Sequence, residues 1–467
     1  MKDNQAGGRP AQLSVPAPRG LVRLGTLLAL AALIVAACQG SNGGSSGITL
    51  KVVYQKDTAS ASIRDTIWNE VKSDYEAAHP GSTVQLQPIT ADETNYYTQL
   101  TLRERSSAAP DIVYQDTFLI NQEIDAGNLA PLDQYTANWS DWSQFTDRAK
   151  NACVGQDSKN YGVLLGTDVR VLFYNKDILA KAGVQVPFAP KNWNDILSAA
   201  RQVKANVPGV DPLHLVTGVS AGEGTSMQGF EMLLYGTNDK LWDSNNKKWV
   251  TESPGILDAL NFYKTVYQTG HLGPDPSKAI SAQYNSNYAL ADVPSGKLAM
   301  LVDGNWVSSF YLPSGAHPWA QADSVLGEAL MPTENGQGSG HISLSGGWCY
   351  AITAKSQNKQ QAFDLLALAS NKKYQTEYDS KDGGIPVRKD VAADPVFSAP
   401  DQQVFSQAVA FTQFRPAYSD YPKVSSHIPE MVEAVTIGAK SPEDAMKAFN
   451  DAVAGDLGSN KVETVSS

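Results

Sequence analysis

Predicted strands alternate with predicted helices along this chain, and this alternation limits the fold more than any other feature. The segment "ITLKVVY" (48–54) has the pattern of a first strand, and apolar residues at helical spacing follow from Ile63 to Tyr75. Further helices with capping signals begin at "NWNDIL" and at "SPEDAM". Strands that alternate with helices indicate the α/β fold class.

The length of the chain and its lack of internal boundaries bear on the number of lobes. Its 467 residues correspond to about two to four domains. No internal repeat and no second low-complexity linker divides the sequence. If the chain forms two lobes, we therefore expect it to pass between them more than once.

The N-terminal segment is predicted to be a targeting signal. Arg19 and Arg23 precede the apolar run "LGTLLALAALIVAAC", which is too short to span a bilayer comfortably. The run ends at Cys38 in "VAAC", which resembles the bacterial lipobox, where signal peptidase cuts and the thiol is lipidated. We expect a lipoprotein signal peptide over residues 1–37 and a Gly/Ser tether over 38–47, with a plain secretory signal and a chance cysteine as the alternative. The product would be extracytoplasmic and anchored to the cell membrane as a lipoprotein.

Charge and missing motifs exclude several functions. Segment 1–37 contributes +3 to the net charge of −11, so the rest of the chain carries −14. Such an acidic body argues against a nucleic-acid partner, because phosphate backbones are bound by basic patches. The sequence also lacks a Gly-rich phosphate loop, a G-x-S-x-G elbow, a His pair at zinc spacing and a Cys-x-x-Cys motif. We therefore predict no metal, no cofactor and no catalytic triad.

Two cysteines remain after Cys38. In an exported protein, Cys153 and Cys349 could form a disulfide between segments 196 residues apart. Two buried free thiols are the alternative, and the sequence leaves both open.

Carboxylates and indoles recur at the ends of predicted strands. Asp116 follows "DIVYQ", Asp168 lies at a break in "LLGTDVRVLFY", Trp306 ends "LAMLVDGNW", and Trp348 begins a strand in "SGGWCYAI". Open α/β sheets bind ligands beyond the carboxyl ends of their strands. Carboxylates accept hydrogen bonds from hydroxyls, and indoles cover the apolar face of a sugar ring. The pattern favours a sugar site over the alternative that both aspartates are caps and both tryptophans core.

These motifs resemble the family of extracytoplasmic solute-binding proteins of sugar ABC transporters (family 1), over almost the whole chain. Four matches carry the resemblance: "APDIVYQD" with "AGNLAPLDQY", "YGVLLGTDVRVLFYNKDILAKAGV" with "NWNDIL", "SGKLAMLVDGNW", and "GGWCYAITAKSQNKQQAFDLL" with "GGIPVRKDV". The trehalose/maltose-binding branch is the most similar, through "GNW", "GGW" and "FRPAYSDYPKVSSHIPEMV". The resemblance implies a two-lobe periplasmic-binding-protein fold (type II-like) with a multi-crossover hinge and a ligand cleft between the lobes.

The resemblance also implies how the chain is divided. The first lobe would take residues 48–161 and 349–399, and the second lobe would take 162–348 and 400–460. The crossovers would lie near Gly162–Gly166, near Gly346–Trp348 and near Ala399.

Site residues follow from the same resemblance. Asp116 and Asp168 would bind sugar hydroxyls from the two sides of the first crossover. Trp306 and Trp348 would stack on sugar rings, and the backbone of Gly347 would line the same surface.

Further positions extend this site. Arg415 of "FRP" would donate to sugar oxygens from the second lobe. Glu223 occupies the place of a Tyr-Glu-Gly stretch in relatives, although Gly222 replaces the tyrosine here. Gln55 and Asp57, after the first strand, would face the cleft.

The implied function is capture of a di- or oligosaccharide, trehalose- or maltose-like, by lobe closure, followed by delivery to ABC permease subunits. The protein would be a monomer and not an enzyme, in contact with the membrane only through its lipid anchor. A glycoside hydrolase is the rival hypothesis, because it too needs two carboxylates beside aromatic rings. It would require a raised pKa, which Asp116 and Asp168 would not have in a polar cleft open to water. A sugar-sensing surface protein is the third hypothesis.

Overall fold

The computed structural model describes residues 47–56, 63–91, 93–106 and 108–465. The predicted signal peptide and Cys38 lie outside the described residues, as does Asp57. Within the described residues, no helix combines the length and the apolar character needed to cross a bilayer.

Strands and helices alternate, which confirms the α/β class. The strands are β1 (Thr49–Val53), β2 (Gln55–Lys56), β3 (Thr83–Leu86), β4 (Ile89–Thr90), β5 (Ile112–Asp116), β6 (Gly162–Thr167), β7 (Arg170–Asn175), β8 (His214–Leu215), β9 (Trp242–Asp243), β10 (Lys248–Glu252), β11 (Met300–Gly304), β12 (Leu326–Ala329), β13 (Met331–Pro332), β14 (His341–Ser345), β15 (Gly347–Ile352), β16 (Thr412–Phe414) and β17 (Val462–Thr464). The α-helices are α1 (Ile63–Ala78), α2 (Glu93–Arg105), α3 (Ile120–Asp125), α4 (Asp133–Thr136), α5 (Asp147–Asn151), α6 (Lys176–Ala182), α7 (Trp193–Asn206), α8 (Glu231–Leu234), α9 (Pro254–Lys264), α10 (Pro276–Ala279), α11 (Ala282–Asn285), α12 (Trp306–Phe310), α13 (Ala322–Val325), α14 (Lys359–Ala369), α15 (Lys372–Asp382), α16 (Lys389–Ala392), α17 (Pro400–Ala408), α18 (Tyr421–Ser425), α19 (Ile428–Thr436) and α20 (Pro442–Leu457). Short 3-10 turns lie at Ser140–Gln144, Val219–Ala221, Pro395–Phe397, Val409–Phe411 and Ser459–Lys461, and π-helical turns at Thr225–Phe230, Thr265–Thr269 and Tyr288–Asp292.

The helix boundaries follow the capping signals of the sequence. Asn192 caps α7, since its side chain accepts a hydrogen bond from the backbone N–H of Asp195 at 3.0 Å. Ser441 caps α20 in the same way through the N–H of Asp444, at 3.1 Å, with Pro442 at the first helical position. Each cap satisfies a backbone donor that the first helical turn leaves without a partner.

The first sheet has five strands in the order β3-β1-β5-β15-β6. β1 is parallel to β3 and β5, whereas β15 is antiparallel to β5 and β6. Helix α1 covers this sheet with Ile67, Trp68, Val71 and Tyr75, all of them buried. The sheet and its helices form one hydrophobic core.

The second sheet has four strands in the order β12-β7-β11-β8. Its two faces belong to different hydrophobic clusters, because alternate residues of a strand point to opposite sides. Leu172 and Tyr174 of β7 lie in one cluster with helices α7, α9, α19 and α20. Val171 and Phe173 lie in another, with Phe405 of α17.

Two connections to the first sheet lie side by side: one joins β6 to β7 of the second sheet, and the other joins β15 to β14, which lies in a three-stranded sheet with β13 and β16. The chain leaves β6 and enters β7 through Asp168, and it leaves β14 and enters β15 through Gly346. The backbone N–H of Gly346 donates to Oδ1 of Asp168 at 2.8 Å. The sequence placed the first passage near residues 162–166, but that segment is buried in the first sheet as β6, because its apolar side chains pack on both faces.

A disulfide joins Cys153 to Cys349. Both cysteines are fully buried, and Cys349 lies in β15 directly after Trp348. A Cβ at Gly162 would lie 2.9 Å from the Cβ of Cys349 and 3.2 Å from that of Cys153, so the bridge needs a glycine there. Of the two alternatives that the sequence left open, the structure contains the bridge.

Candidate functional site

Asp116 and Trp348 are direct neighbours on two antiparallel strands. Asp116 ends β5 and is the cross-strand partner of Trp348 in β15. The two side chains therefore lie on the same face of the first sheet, and Cys349 lies on the other. Asp116 is buried, and its Oδ1 accepts a hydrogen bond from the backbone N–H of Phe118 at 2.9 Å.

Arg415 connects this aspartate to the second part of the molecule. Its Nη2 donates to Oδ1 of Asp116 at 2.7 Å, and its Nη1 donates to Oε1 of Glu223 at 3.1 Å. The guanidinium carbon also lies 4.7 Å from the centre of the Phe118 ring. One buried cation therefore binds a carboxylate from the first sheet and a carboxylate that precedes the π-helical turn Thr225–Phe230.

Asp168 joins the group from the passage between the sheets. Its carboxylate pairs with the guanidinium of Arg170 and accepts the N–H of Gly346. A Cβ at Gly346 would lie 3.0 Å from Nη2 of Arg415 and 3.7 Å from Oδ2 of Asp168. Glycine at this position lets both charged groups approach the backbone.

Trp348 belongs to an aromatic stack that we call the aromatic wall, defined as Tyr97, Tyr114 and Trp348. The indole is parallel to the Tyr114 ring at 4.4 Å and 6°, and to the Tyr97 ring at 5.9 Å and 3°. It is only partly buried and packs against the first hydrophobic core. The two interpretations of Trp348, as core and as an accessible platform, therefore each describe part of one side chain.

Gly347 sits directly before this indole and has a left-handed backbone, with φ of +141°. Its carbonyl accepts the N–H of Thr117 at 3.0 Å. A Cβ on this residue would lie 2.5 Å from the carbonyl oxygen of Gly166, which real side chains do not tolerate.

Trp306 lies at the start of α12, on the side of the second sheet. Its ring folds back over Gly304, where a Cβ would lie 2.1 Å from ring atoms, and the Arg170 guanidinium carbon is 4.8 Å from the ring centre. Arg170 also pairs with Asp168, so Trp306 is connected to Asp168 through this one arginine. Its half-buried ring also packs against the cluster that contains Val171.

Two residues of this site were missed by sequence reasoning. The hydroxyl of Tyr421 lies 2.8 Å from Oε1 of Glu223 and 2.6 Å from Oε1 of Glu231, and Tyr421 and Glu231 are fully buried. A signal for Glu231 existed, because a glutamate interrupts the apolar run "FEMLLY". We call Asp116, Arg415, Glu223, Tyr421 and Glu231 together the ionic relay.

Burial changes the acid–base properties of the relay. It raises the pKa of Asp116 and of Glu223 above the ordinary range, and the charge of Arg415 partly opposes it in both cases. Burial, with the charge of Glu223, raises the pKa of Glu231 to about 8. Asp116 is only 7% exposed and does not lie in an environment open to water, so the expectation that it lacks a raised pKa was wrong.

Gln55 is placed away from the ionic relay. Its Nε2 donates to the carbonyl of Ala91 at 3.2 Å, and its Oε1 accepts from Arg64 at 3.3 Å. The guanidinium carbon of Arg64 lies 5.1 Å from the Tyr114 ring centre, so Gln55 supports the aromatic wall through an intermediate residue.

A cavity of about 580 Å³ lies beside α12, outside this group. Its lining residues include Ser308, Ser309, Glu328, Asp379 and Gly383. None of the predicted ligand residues that the structure describes lines it. Across the described part of the chain, no group of three or more His, Cys, Asp or Glu residues could hold a metal ion.

Comparison with known proteins is consistent with this architecture. The family described as bacterial extracellular solute-binding protein matches residues 60–376. A maltooligosaccharide ABC transporter solute-binding lipoprotein of Streptococcus pneumoniae is 24% identical over 368 residues, which cover 76% of this chain and 76% of the relative.

Solved structures show the same fold. An ABC transporter solute-binding protein of Thermotoga lettingae, bound with α-D-tagatose, has a TM-score of 0.75 and 25% identity, and the match covers 88% of this chain and 100% of that protein. The GacH receptor of Streptomyces glaucescens, solved unliganded and with acarbose, has a TM-score of 0.73 and 23% identity, and covers 88% and 98%. The predicted periplasmic-binding-protein fold is thereby confirmed.

Proposed function

The chain belongs to the family of bacterial extracellular solute-binding proteins, and we propose that it binds a di- or oligosaccharide, trehalose- or maltose-like, between its two lobes. One observation carries the proposal: Asp116, Asp168 and Arg415 meet beside the half-buried indole of Trp348. Charged oxygens and a guanidinium bind vicinal hydroxyls, and an indole covers the apolar face of a glucose ring. The maltooligosaccharide relative and the acarbose-bound receptor support a glucose-based ligand.

We propose that ligand binding is coupled to lobe closure. The proposed division assigns residues 48–161 and 349–399 to the first lobe and residues 162–348 and 400–460 to the second, except that β6 (162–167) is moved to the first lobe because it pairs in the first sheet. Arg415 contacts Asp116 of the first sheet and Glu223 of the second part. A sugar that touches both sides favours the closed state by its differential contacts.

Delivery and anchoring complete the proposal. The closed protein would dock on ABC permease subunits, and a lipid on Cys38 would hold it at the cell membrane, with residues 1–37 as a cleaved signal peptide. A single acyl chain binds membranes only marginally, so multiple acylation is expected. Mass spectrometry of the mature N-terminus tests this part, and a soluble product from wild-type cells contradicts it.

Calorimetry against a sugar panel tests the binding function. Trehalose, maltose, maltotriose and tagatose are titrated into the wild type and into two matched variants, Asp168→Asn and the exposed Asp451→Asn. We expect one glucoside to bind with a Kd in the micromolar range or below, and Asp168→Asn to weaken it at least about tenfold, the effect of losing one charge-assisted hydrogen bond. Equal affinity of Asp168→Asn and the wild type contradicts the proposed site, and no binding of any sugar contradicts the proposed ligand class.

The hydrolase remains as a second candidate because burial raises the pKa of Asp116, which a general acid needs. Its ion pair with Arg415 favours the ionised form instead. Incubation of the pure protein with trehalose, maltose and longer glucans, followed by product chromatography, distinguishes the two, since turnover would contradict a binding-only function. A sensor would bind the same sugar without supporting its uptake through a permease.

A further inference from the structure

We propose that Glu231 is a positioning residue of the sugar site, present as the neutral acid, which directs the hydroxyl hydrogen of Tyr421 to Glu223 and thereby orients Arg415. This inference rests on the proposed function, because Arg415 is the group that would donate to the sugar. It adds a proton to the relay that the binding role of Asp116 and Glu223 does not require.

The first step is a count of hydrogens. The hydroxyl of Tyr421 carries one hydrogen, yet it lies at hydrogen-bonding distance from two carboxyl oxygens, 2.8 Å from Glu223 and 2.6 Å from Glu231. Two ionised carboxylates would both need a donor from the same hydroxyl. One of the two acids must therefore hold a proton and donate it to the oxygen of Tyr421.

The second step identifies the protonated acid. Glu223 receives Nη1 of Arg415 at 3.1 Å, which stabilises its ionised form. Glu231 is fully buried, and its Oε2 has no hydrogen-bond partner among the described residues. A neutral carbonyl oxygen without a partner costs far less free energy than a buried ionised one.

The electrostatic surroundings of Glu231 agree with this choice. The negative charge of Glu223 opposes ionisation of Glu231, whereas the positive charges of Arg415 and Arg170 favour it. The neighbouring hydroxyl groups are those of Tyr421 and Tyr235. Burial is the largest effect and raises the pKa of Glu231 to about 8. Glu231 is thus neutral at pH 7 and ionises in the mildly alkaline range.

The third step is the consequence for Arg415. With Glu231 neutral, its Oε1–H donates to Tyr421, Tyr421 donates to Glu223, and the carboxylates of Glu223 and Asp116 share the guanidinium. When Glu231 ionises, the hydrogen of Tyr421 turns towards it, and Glu223 loses a donor. Glu223 then depends more strongly on Arg415, which holds the guanidinium away from the sugar.

The test is the pH dependence of sugar affinity. If the ionised form binds poorly, the apparent Kd of the wild type rises about tenfold between pH 6.5 and pH 9, because a group with a pKa of about 8 is then mostly ionised. Glu231→Gln, which cannot ionise, should reduce this ratio to nearly one, and Tyr421→Phe should do the same at a weaker affinity. Glu443→Gln, an exposed position on α20, is the matched control and should keep the wild-type ratio. A flat wild-type profile, or a slope that persists in Glu231→Gln, overturns the inference.

A second measurement needs no sugar. Infrared difference spectra of the apo wild type minus Glu231→Gln should show the C=O stretch of a neutral acid at pH 6.5 and its loss by pH 9.5. A carboxylate signal at pH 6.5 overturns the inference even if a sugar binds. An intact neutral-acid signal with no binding of any sugar overturns the proposed function and leaves the protonation of Glu231 established.

Discussion

The aromatic wall and the ionic relay are the two sides of the proposed sugar site, and different interactions stabilise them. The wall is built from parallel rings on α2, β5 and β15 and contains no charged group. The relay places two carboxylates on one buried guanidinium and a third carboxyl group, Glu231, on the hydroxyl of Tyr421. Stacking is worth about 0.5–1.5 kcal/mol per pair beyond area burial, whereas desolvated charges carry opposing contributions several times larger.

The wall and the relay should therefore respond differently to substitutions. The wall should tolerate replacement of one ring by another, because shape and apolar area determine its stability. The relay should not tolerate loss of the cation, because each carboxylate depends on it. Recognition of the sugar face and the coupling between the lobes would then reside in separate residues.

The largest effect is expected from Arg415→Met, which removes the guanidinium that Asp116 and Glu223 share. Two buried carboxylates are left without their cation, and breaking a buried ion pair from one side costs about 3–5 kcal/mol. Urea unfolding should show this loss, and calorimetry should show no sugar binding. The exposed Lys447→Met on α20 is the control and should change the unfolding free energy by less than about 1 kcal/mol. Comparable stabilities of the two variants would mean that the relay is not a coupled unit.

A smaller effect is expected from Trp348→Ala on the wall. A sequence-based view of Trp348 as a mere platform predicts a nearly unchanged unfolding midpoint, but its stacking on Tyr114 at 4.4 Å revises this. We expect a loss of about 2–3 kcal/mol in unfolding free energy, below the range for a fully buried tryptophan because the ring is only partly buried, together with loss of most of the sugar affinity.

Trp348→Phe is the matched variant for the wall. It keeps an aromatic ring against Tyr114 and should restore most of the stability, while the smaller ring recovers only part of the affinity. If Trp348→Phe is as unstable as Trp348→Ala, the wall depends on the indole itself and not on apolar area.

The sequence predicted the wall and the relay unequally. Asp116 of the relay and Trp348 of the wall could be proposed from the sequence because each lies near one end of a strand, where a local pattern positions the side chain. Glu231 was missed because its role depends on Tyr421, which is 190 residues distant and meets it only in the folded protein.

Two other outcomes depend on long-range contacts in the same way. The predicted crossover at residues 162–166 was wrong by a few residues, because the sequence of an apolar strand does not show which sheet the strand joins. The pairing of β6 with β15 places this segment in the first sheet. Burial of Asp116 could not be predicted from the local sequence either, since its partner Arg415 is 299 residues away along the chain.

Two neighbouring glycines, Gly346 beside Arg415 and Gly347 beside Trp348, separate the two regions most directly, and the smallest loss of stability is expected at Gly346. Gly347→Ala forces a side chain into a left-handed backbone with φ of +141°, 2.5 Å from the Gly166 carbonyl, at a cost of about 1–3 kcal/mol. Gly346→Ala has no such backbone strain, but its Cβ would lie 3.0 Å from Nη2 of Arg415. We expect Gly346→Ala to lower sugar affinity several-fold with a stability change below about 1 kcal/mol, measured by calorimetry and urea unfolding on the same samples. If Gly346→Ala is instead the less stable variant and Gly347→Ala the weaker binder, both expectations are contradicted: backbone strain at Gly347 does not limit stability, and the space between Gly346 and Arg415 does not limit sugar binding.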